Sequence, residues 1–246
     1  MTRRFHVIDT SFEPAYAEEP ASSVRKVIAK RMLESKLTIP HFYLFDTVDM
    51  QNAVALRSKL NAAAGGDGVN EGAPRISFND MIVKAAAAVL ARHPECNASY
   101  VDDKIRRYRQ VNINIAVATD AGLLVPTLRN CDTKSLREIS EETKALAEKA
   151  RSRKLRPREM MGGTFTISNL GVFGLEGSFS IINPPQALIL TTGAIREAPV
   201  ARGGVLAVGT VMKVTLSCDH RAVDGAAGAA FLADFKKEME GWRDAS

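Results

Sequence analysis

Helical periodicity is the main pattern in the first 150 residues. Apolar side chains recur at spacings of three and four residues, which predicts amphipathic helices. The residues Ser77-Phe78-Asn79-Asp80 have the form of a capping box, with Asp in the return position, and mark the start of one helix. The predicted helices run from Ser22 to before Pro40, from Ala53 to Gly65-Gly66, from Ser77 to before His93-Pro94, over residues 136–150 and, near the end of the chain, over residues 225–240.

Strand patterns become frequent in the second half of the chain. In residues 111–119, β-branched residues at the odd-numbered positions alternate strictly with asparagine or alanine at the even-numbered positions. This alternation predicts one half-buried strand. Further strands are predicted over residues 41–50, 98–101, 104–108, 123–128, 163–168, 187–192 and 209–217. Helices early and strands late favour an α/β fold, a two-layer sandwich in which helices cover one face of a mixed sheet, over a doubly wound parallel sheet.

Domain boundaries follow from the same patterns. Residues 1–21 show neither the helical nor the strand periodicity of apolar residues, and they are interpreted as an N-terminal arm or linker remnant. Residues 22–246 are interpreted as one domain. Of the 246 residues, 46% are hydrophobic and 25% are charged, as is typical of a soluble globular protein. There is no apolar run of the ~18 residues that a membrane span needs, and no signal-peptide pattern. We therefore expect no membrane association, and a location in a bacterial cytoplasm or a mitochondrial matrix.

Charge and cysteine content exclude some functions. The net charge of +5 suits an anionic partner, but it does not indicate nucleic-acid binding. The basic residues within 149–158 either complement the negative end of a helix or bind a phosphate-bearing ligand, and both interpretations stay open. Cys96, Cys131 and Cys218 are too widely spaced for a zinc motif or a disulfide framework. No metal site is predicted, because no histidine or cysteine pair has ligand spacing.

Two segments carry candidate chemistry. His220 lies in residues 217–225, between an apolar strand and a helix, where rigid elements can hold polar groups over a cleft. It is either a catalytic base or part of a solvated turn. Ser168 ends a strand before the glycine-bearing loop of residues 169–174, which matches no phosphate-binding fingerprint. Ser168 also lacks the context of a nucleophile elbow, so it is not predicted to be a covalent nucleophile.

Several segments together resemble one known family. Asp219-His220-Arg221-Ala222-Val223-Asp224-Gly225 is similar to the His-Arg-x-x-Asp-Gly signature of the catalytic domain of dihydrolipoamide acyltransferases, the core components of 2-oxo acid dehydrogenase complexes. The resemblance extends from about residue 22 to residue 240 and is most similar to the pyruvate-type, acetyl-transferring branch. Its other segments, in family order, are residues 38–44, 97–99, 122–126, 163–174, 182–186 and 211–217.

The resemblance implies a fold, a reaction and an assembly. The fold is expected to resemble chloramphenicol acetyltransferase, in a homotrimer with each active site between neighbouring subunits. The implied reaction is acetyl transfer between dihydrolipoamide and coenzyme A. His220 is expected to act as general base, Ser168 to stabilise the oxyanion, and Asp224 to act as the acidic, orienting member of the signature. For His41, lining of the substrate channel and a structural role both stay open.

The implied reaction suits the chemistry of these residues. A free thiol has a pKa near ~8.5 and is mostly protonated at neutral pH, so it needs a base before it can attack a thioester. A neutral imidazole, with a reference pKa of ~6.5, is suited to that task. A hydroxyl is a suitable hydrogen-bond donor to a tetrahedral oxyanion.

Partners and alternatives follow from the same resemblance. Full-length family members carry lipoyl and subunit-binding domains, so the lipoyl group is expected on another domain or chain, alongside the other components of the complex. The tail at residues 241–246 lacks the apolar residues with which family members join trimers into cages, so a closed trimer is expected. Two alternatives remain: a freestanding acyltransferase that uses coenzyme A thioesters on another acceptor, and a non-catalytic core scaffold.

Overall fold

The computed structural model describes Pro14 and residues 16–66, 75–119 and 122–242. Five α-helices lie in these residues: α1 (Ser23–Thr38), α2 (Gln51–Gly66), α3 (Phe78–Arg92), α4 (Leu136–Arg151) and α5 (Gly225–Glu240). The strands are β1 (His41–Asp49), β2 (Ala98–Val101), β3 (Lys104–Arg107), β4 (Ile113–Ile115), β5 (Val117–Thr119), β6 (Gly122–Leu124), β7 (Thr127–Leu128), β8 (Phe165–Asn169), β9 (Leu188–Arg202) and β10 (Val205–Asp219). Short 3₁₀ helices span Pro157–Met160 and Gly171–Phe173.

Side-chain caps begin the helices where the sequence predicts them. The Ser77 hydroxyl accepts a hydrogen bond from the Asp80 amide at 3.2 Å, and the Asp80 carboxylate accepts one from the Ser77 amide at 2.7 Å. The predicted capping box at α3 is therefore confirmed. A second box, which the sequence analysis missed, joins Ser135 and Glu138 at the start of α4. Each box satisfies amide donors that the first turn of a helix leaves unpaired.

A six-stranded mixed sheet organises the fold. Its order is β1-β10-β9-β8-β4-β7, and β8 runs parallel to both of its neighbours while the other pairs are antiparallel. The main hydrophobic core lies between this sheet and the helices, so the predicted two-layer α/β architecture is confirmed. Helix α1 is the exception, because Ile39 at its end packs with Ile182 and Ile189 in a separate cluster. None of the described helices combines the length and apolarity that a bilayer span would need.

The two faces of the sheet differ in chemistry. One face of the sheet packs against the main core through the fully buried residues Ile167 on β8, Leu190 on β9 and Leu216 on β10. Along each strand, the residues on either side of these point to the opposite face. On the opposite face, which we call the hydroxyl face, Ser168 pairs with Thr191 and Thr191 pairs with Thr215. Paired residues of neighbouring strands point to the same side. Ser168 therefore lies on the side of the sheet away from the main core.

The prediction of a single half-buried strand over residues 111–119 is wrong. The chain forms β4 and β5, which belong to different sheets and are separated at Ala116. The alternating asparagines do not face solvent: Asn112 and Asn114 are buried, and their side-chain amides donate to the carbonyls of Gly162 and Val125, both at 2.8 Å. Polar alternation here reflects buried hydrogen bonding.

The last two strands are longer than predicted. β9 and β10 form a hairpin of two 15-residue strands that turns at Gly203 and Gly204, whose φ values of 56° and 80° favour glycine. Most of the predicted arm, the loop after Gly66, the turn at Asp120-Ala121 and the tail from Arg243 lie outside the described residues.

We expect Gly163→Ala to destabilise the fold by about 3 kcal/mol, because a side chain there overpacks a buried polar network. A Cβ atom at Gly163 would lie 1.3 Å from Oδ1 of Asn114, which already accepts a hydrogen bond from Nε2 of Gln186 at 2.8 Å. Urea unfolding measures the loss. Gly177→Ala is the control, since its Cβ would come no closer than 4.0 Å to another atom, and we expect a change below about 0.5 kcal/mol. Equal effects of the two changes would contradict the packing argument.

Candidate active site

His220 follows directly on the end of β10 and is exposed. Its amide donates to the Pro40 carbonyl at 3.2 Å, and its ring packs on Phe42 with centroids 4.7 Å apart. Within the described part of the chain, neither ring nitrogen has a hydrogen-bond partner. The imidazole is thus held on one side by an aromatic ring while its nitrogens stay available to accept or donate a proton.

Ser168 lies on β8, half-buried on the hydroxyl face. No hydrogen bond to its side chain is found among the described residues, so the hydroxyl is available to a ligand or to a neighbouring chain. Within one chain it is far from His220. Through Thr191 on β9, Ser168 is aligned with Thr215 on β10. His220 comes five residues after Thr215 and two strands away from β8, so it lies about 17 Å from Ser168 along the strands and about 10 Å across them. One chain alone therefore does not bring Ser168 and His220 to the same reacting carbonyl.

Asp224 is the N-cap of α5. Its carboxylate accepts a hydrogen bond from the Ala227 amide at 2.8 Å, and the side chain is otherwise exposed. This bond satisfies one of the free amides of the first turn, and a negative charge there complements the helix dipole. The cap fixes the angle at which α5 leaves the segment that carries His220.

His41 uses both ring nitrogens within its own chain. Nδ1 lies 2.9 Å from the Ile39 carbonyl oxygen, and Nε2 accepts from the Ile182 amide at 3.1 Å. The Ile182 carbonyl in turn accepts from the buried Ser35 hydroxyl at 2.7 Å. Of the two roles that the sequence left open for His41, this geometry favours the structural one, in which the ring holds Ile182 against the start of β1.

The three cysteines are buried and differ from His220 in that none of them presents a reactive group to solvent. Burial is the main cause that raises the pKa of Cys96 and Cys131 to about 12 and that of Cys218 further still, so all three thiols stay protonated near neutral pH. The three cysteines are free. Across the described ranges, no cluster of histidine, cysteine or acidic side chains is suited to a metal ion. Lys149 in the last turn of α4 pairs with Glu159 at 2.8 Å.

Functional features also exist that the sequence analysis missed. Asp219 and Arg221, on either side of His220, form a hydrogen-bonded ion pair. The hydroxyl face itself was not foreseen, because it depends on register between strands that lie far apart in the sequence. A local signal for it was the alternation of Thr166 and Ser168 with Phe165 and Ile167.

Curated proteins of similar sequence include acetyltransferase components of the pyruvate dehydrogenase complex. A dihydrolipoyllysine-residue acetyltransferase component of the pyruvate dehydrogenase complex from Rickettsia bellii is 45% identical over 225 residues, which cover 92% of this chain and 53% of the relative. A mitochondrial component of the same description from Arabidopsis thaliana is 46% identical over 231 residues, 92% of this chain and 42% of the relative. The chain thus spans about half the length of these relatives.

Solved structures show the same architecture. Dihydrolipoamide acetyltransferase from Azotobacter vinelandii, in which the catalytic roles of a serine, a histidine and an asparagine were investigated, has a TM-score of 0.89 at 32% identity over 96% of both chains. Chloramphenicol acetyltransferase has the same fold, with a TM-score of 0.50 at 14% identity over 87% of this chain and 93% of its own. The family model for the catalytic domain of 2-oxoacid dehydrogenase acyltransferases matches residues 13–245. With its fold and its sequence both matching, the chain belongs to the 2-oxoacid dehydrogenase acyltransferase family.

Proposed function

We propose that this chain transfers acetyl groups between dihydrolipoamide and coenzyme A, as the catalytic domain of a dihydrolipoyllysine-residue acetyltransferase, with residues 22–246 forming that domain. The observation that carries the proposal is His220, an exposed imidazole with both nitrogens available at a rigid strand end. The spacing of the site supports it. In the Azotobacter vinelandii enzyme the investigated serine precedes the histidine by 52 residues and the asparagine follows it by 4, the same separations as Ser168, His220 and Asp224.

The proposed mechanism assigns one step to each side chain. His220 takes the proton of the attacking thiol, and the sulfur forms a bond to the thioester carbonyl carbon. The carbonyl oxygen becomes an oxyanion, which accepts a hydrogen bond from the Ser168 hydroxyl. Collapse of the tetrahedral intermediate breaks the other carbon–sulfur bond, and the departing thiolate takes the proton back from His220. The same steps occur in both directions of the reaction, because the reactants and the products each consist of one thiol and one thioester.

The proposed assembly is a homotrimer with the site between subunits. The separation of Ser168 and His220 within one chain supports it, since the two groups act on the same carbonyl only if they come from different chains. The hydroxyl face supports it as well. Phe45 and Phe179 are 78% and 60% exposed beside this face, and large exposed apolar rings mark surfaces that contact another chain.

The proposed partners follow the reaction. Coenzyme A and a lipoyl group borne by another domain or chain are the two thiol carriers, and the other components of a pyruvate dehydrogenase complex supply and remove the acetyl group. No metal ion takes part in the proposed steps. The compartment is the cytoplasm in a bacterium or the mitochondrial matrix in a eukaryote, as the bacterial and mitochondrial relatives suggest.

We expect Asp224→Asn to retain most of the activity and to change stability by less than about 0.5 kcal/mol, because an asparagine side chain also caps a helix. Asp224→Ala loses the bond to the Ala227 amide and is expected to cost about 1 kcal/mol. Thermal unfolding and steady-state rates measure both variants. An inactive, fully stable Asp224→Asn variant would show that the charge acts in the reaction and that capping is secondary.

A steady-state assay with acetyl-coenzyme A and free dihydrolipoamide tests the proposal. The expected result is acetyl transfer that exceeds transfer from succinyl- and branched-chain acyl-coenzyme A. Preference for one of those donors would correct the acetyl assignment. A protein inactive with every donor would support the scaffold alternative, and transfer to other acceptors in place of dihydrolipoamide would support the freestanding acyltransferase.

A further inference from the structure

The two residues that flank His220, Asp219 and Arg221, form an ion pair with each other. Asp219 is buried, and its Oδ1 accepts hydrogen bonds from the Arg221 amide and from Nε of the Arg221 guanidinium, each at 3.0 Å. Its Oδ2 accepts from Nη2 of Arg221 at 2.8 Å. These bonds close a ring across His220, so the backbone on each side of the imidazole is fixed to the same carboxylate. Bidentate pairs of this kind combine strength with fixed geometry.

The guanidinium is held from outside by a separate hairpin. Its central carbon lies 4.7 Å from the centre of the Tyr100 ring on β2, in cation–π geometry. The Tyr100 hydroxyl donates to Asp103 at 2.8 Å, in the turn that joins β2 and β3. The hydrogen bond to Asp103 is the first cause that raises the pKa of Tyr100, so the hydroxyl stays protonated as a donor. The hydrogen bond to Asp219 likewise raises the pKa of Arg221.

The β2–β3 hairpin and the segment that carries His220 are both hydrogen-bonded to Ala187, the residue directly before β9. The Ala187 amide donates to the Ala98 carbonyl of β2 at 3.0 Å, while the Ala187 carbonyl accepts from the Asp219 amide at 2.8 Å. The β2–β3 hairpin therefore has a fixed position relative to His220, although its two strands form a separate sheet. Because the Arg221 guanidinium stacks on Tyr100, the hairpin also restrains Arg221 and, through it, the residues on either side of His220.

We propose that Asp219, Arg221 and Tyr100 form a positioning clamp that sets the orientation of the His220 imidazole for proton transfer. The inference rests on the proposed function. It follows from the isolation of the ring, since no hydrogen bond among the described residues orients its nitrogens and Phe42 contacts only one of its sides. The orientation of a catalytic base then depends on its backbone, and a displacement of about 1 Å costs up to about 10²-fold in rate.

Arg221→Lys tests the ion pair. A lysine keeps the charge but loses the bidentate contact and the planar stack. We expect kcat to fall about 10- to 100-fold with KM changed less than about three-fold, because substrate binding is untouched while proton transfer is misaligned. Arg202→Lys is the matched control: Arg202 pairs with Asp49 near the far end of β10, and we expect its kcat to stay within about two-fold of wild type.

Tyr100→Leu and Tyr100→Phe test the stack without altering the ion pair. Leucine removes the aromatic face, and we expect at least about a five-fold loss of kcat. Phenylalanine keeps the face and is expected to recover most of that loss. Far-ultraviolet circular dichroism confirms that each variant is folded, and the Tyr100 pair decides the case if Arg221→Lys does not fold.

Combination with His220→Ala separates positioning from a structural role. If the clamp acts through His220, adding Tyr100→Leu to His220→Ala leaves the residual rate within about two-fold of that of His220→Ala alone. An equal fractional loss in both backgrounds would overturn the inference, as would a Tyr100→Leu variant with wild-type kcat. Failure of the proposed function itself has a different signature, since the wild-type protein would then transfer no acetyl group to dihydrolipoamide, whichever residue stands at position 100.

Discussion

His220→Ala is expected to lower the rate of acetyl transfer by about 10²- to 10⁴-fold while leaving the protein folded, because a positioned general base contributes that much. The side chain is exposed and has no hydrogen bond within the described residues, so its removal leaves no buried polar group unpaired. The segment around it keeps its anchors, since the bonds to Pro40 and Ala187 are made by main-chain amides. Steady-state rates at saturating acetyl-coenzyme A measure the effect.

His93→Gln provides the control for loss of an imidazole. His93 contacts Glu95 at 3.1 Å and Asp234 at 2.9 Å between α3 and α5, and its hydrogen bond is the first cause that lowers the pKa of Asp234 to about 2. None of the hydrogen bonds or ring contacts of His93 within the described residues involves residues 217–225, so the rate is expected to stay within about two-fold of wild type. A His220→Ala variant within about three-fold of wild type would contradict the role of His220 as base.

Ser168→Ala is expected to lower kcat by about 10²- to 10³-fold with little change in KM, as for loss of a donor to a developing oxyanion. The serine hydroxyl has no hydrogen-bond partner among the described residues, so the change leaves no group of the free chain unpaired. Ser152→Ala, at the exposed end of α4, is the matched serine-to-alanine control and is expected to leave kcat unchanged. A variant in which only KM rises would make Ser168 a binding residue.

Local signals account for the parts of the fold that could be predicted. The start of α3 at Ser77 and the end of α1 before Pro40 depend on hydrogen bonds and steric limits within a few residues, so the sequence pattern contains the necessary information. The break of the strand at Ala116 depends on partners much further away. Asn114 bonds to Gln186, 72 residues later in the chain, and no local pattern distinguishes a buried asparagine from a solvated one.

In the candidate site, too, some features could be predicted from the sequence and others depend on tertiary packing. His220 and Asp224 share one short segment, and the resemblance to the family identified them together with Ser168. The anchoring of that segment was not predictable, because Tyr100 meets Arg221 only after the β2–β3 hairpin has packed beside Ala187. The resemblance led us to expect that Ser168 and His220 come from different chains, but the distance between them within one chain has no local signal, since it follows from strand register across β8, β9 and β10.

Subunit mixing tests most directly whether one active site combines His220 of one chain with Ser168 of another. His220→Ala and Ser168→Ala chains are co-expressed with different tags, and hybrid oligomers that carry both tags are isolated. Neither parent has more than about 1% of wild-type activity if both residues contribute as proposed. In a trimer with cyclic symmetry that carries both kinds of chain, one of the three sites receives an intact His220 and an intact Ser168, so about a third of wild-type activity is expected. Hybrids as inactive as both parents would place the two residues in the same chain's site and contradict the shared active site.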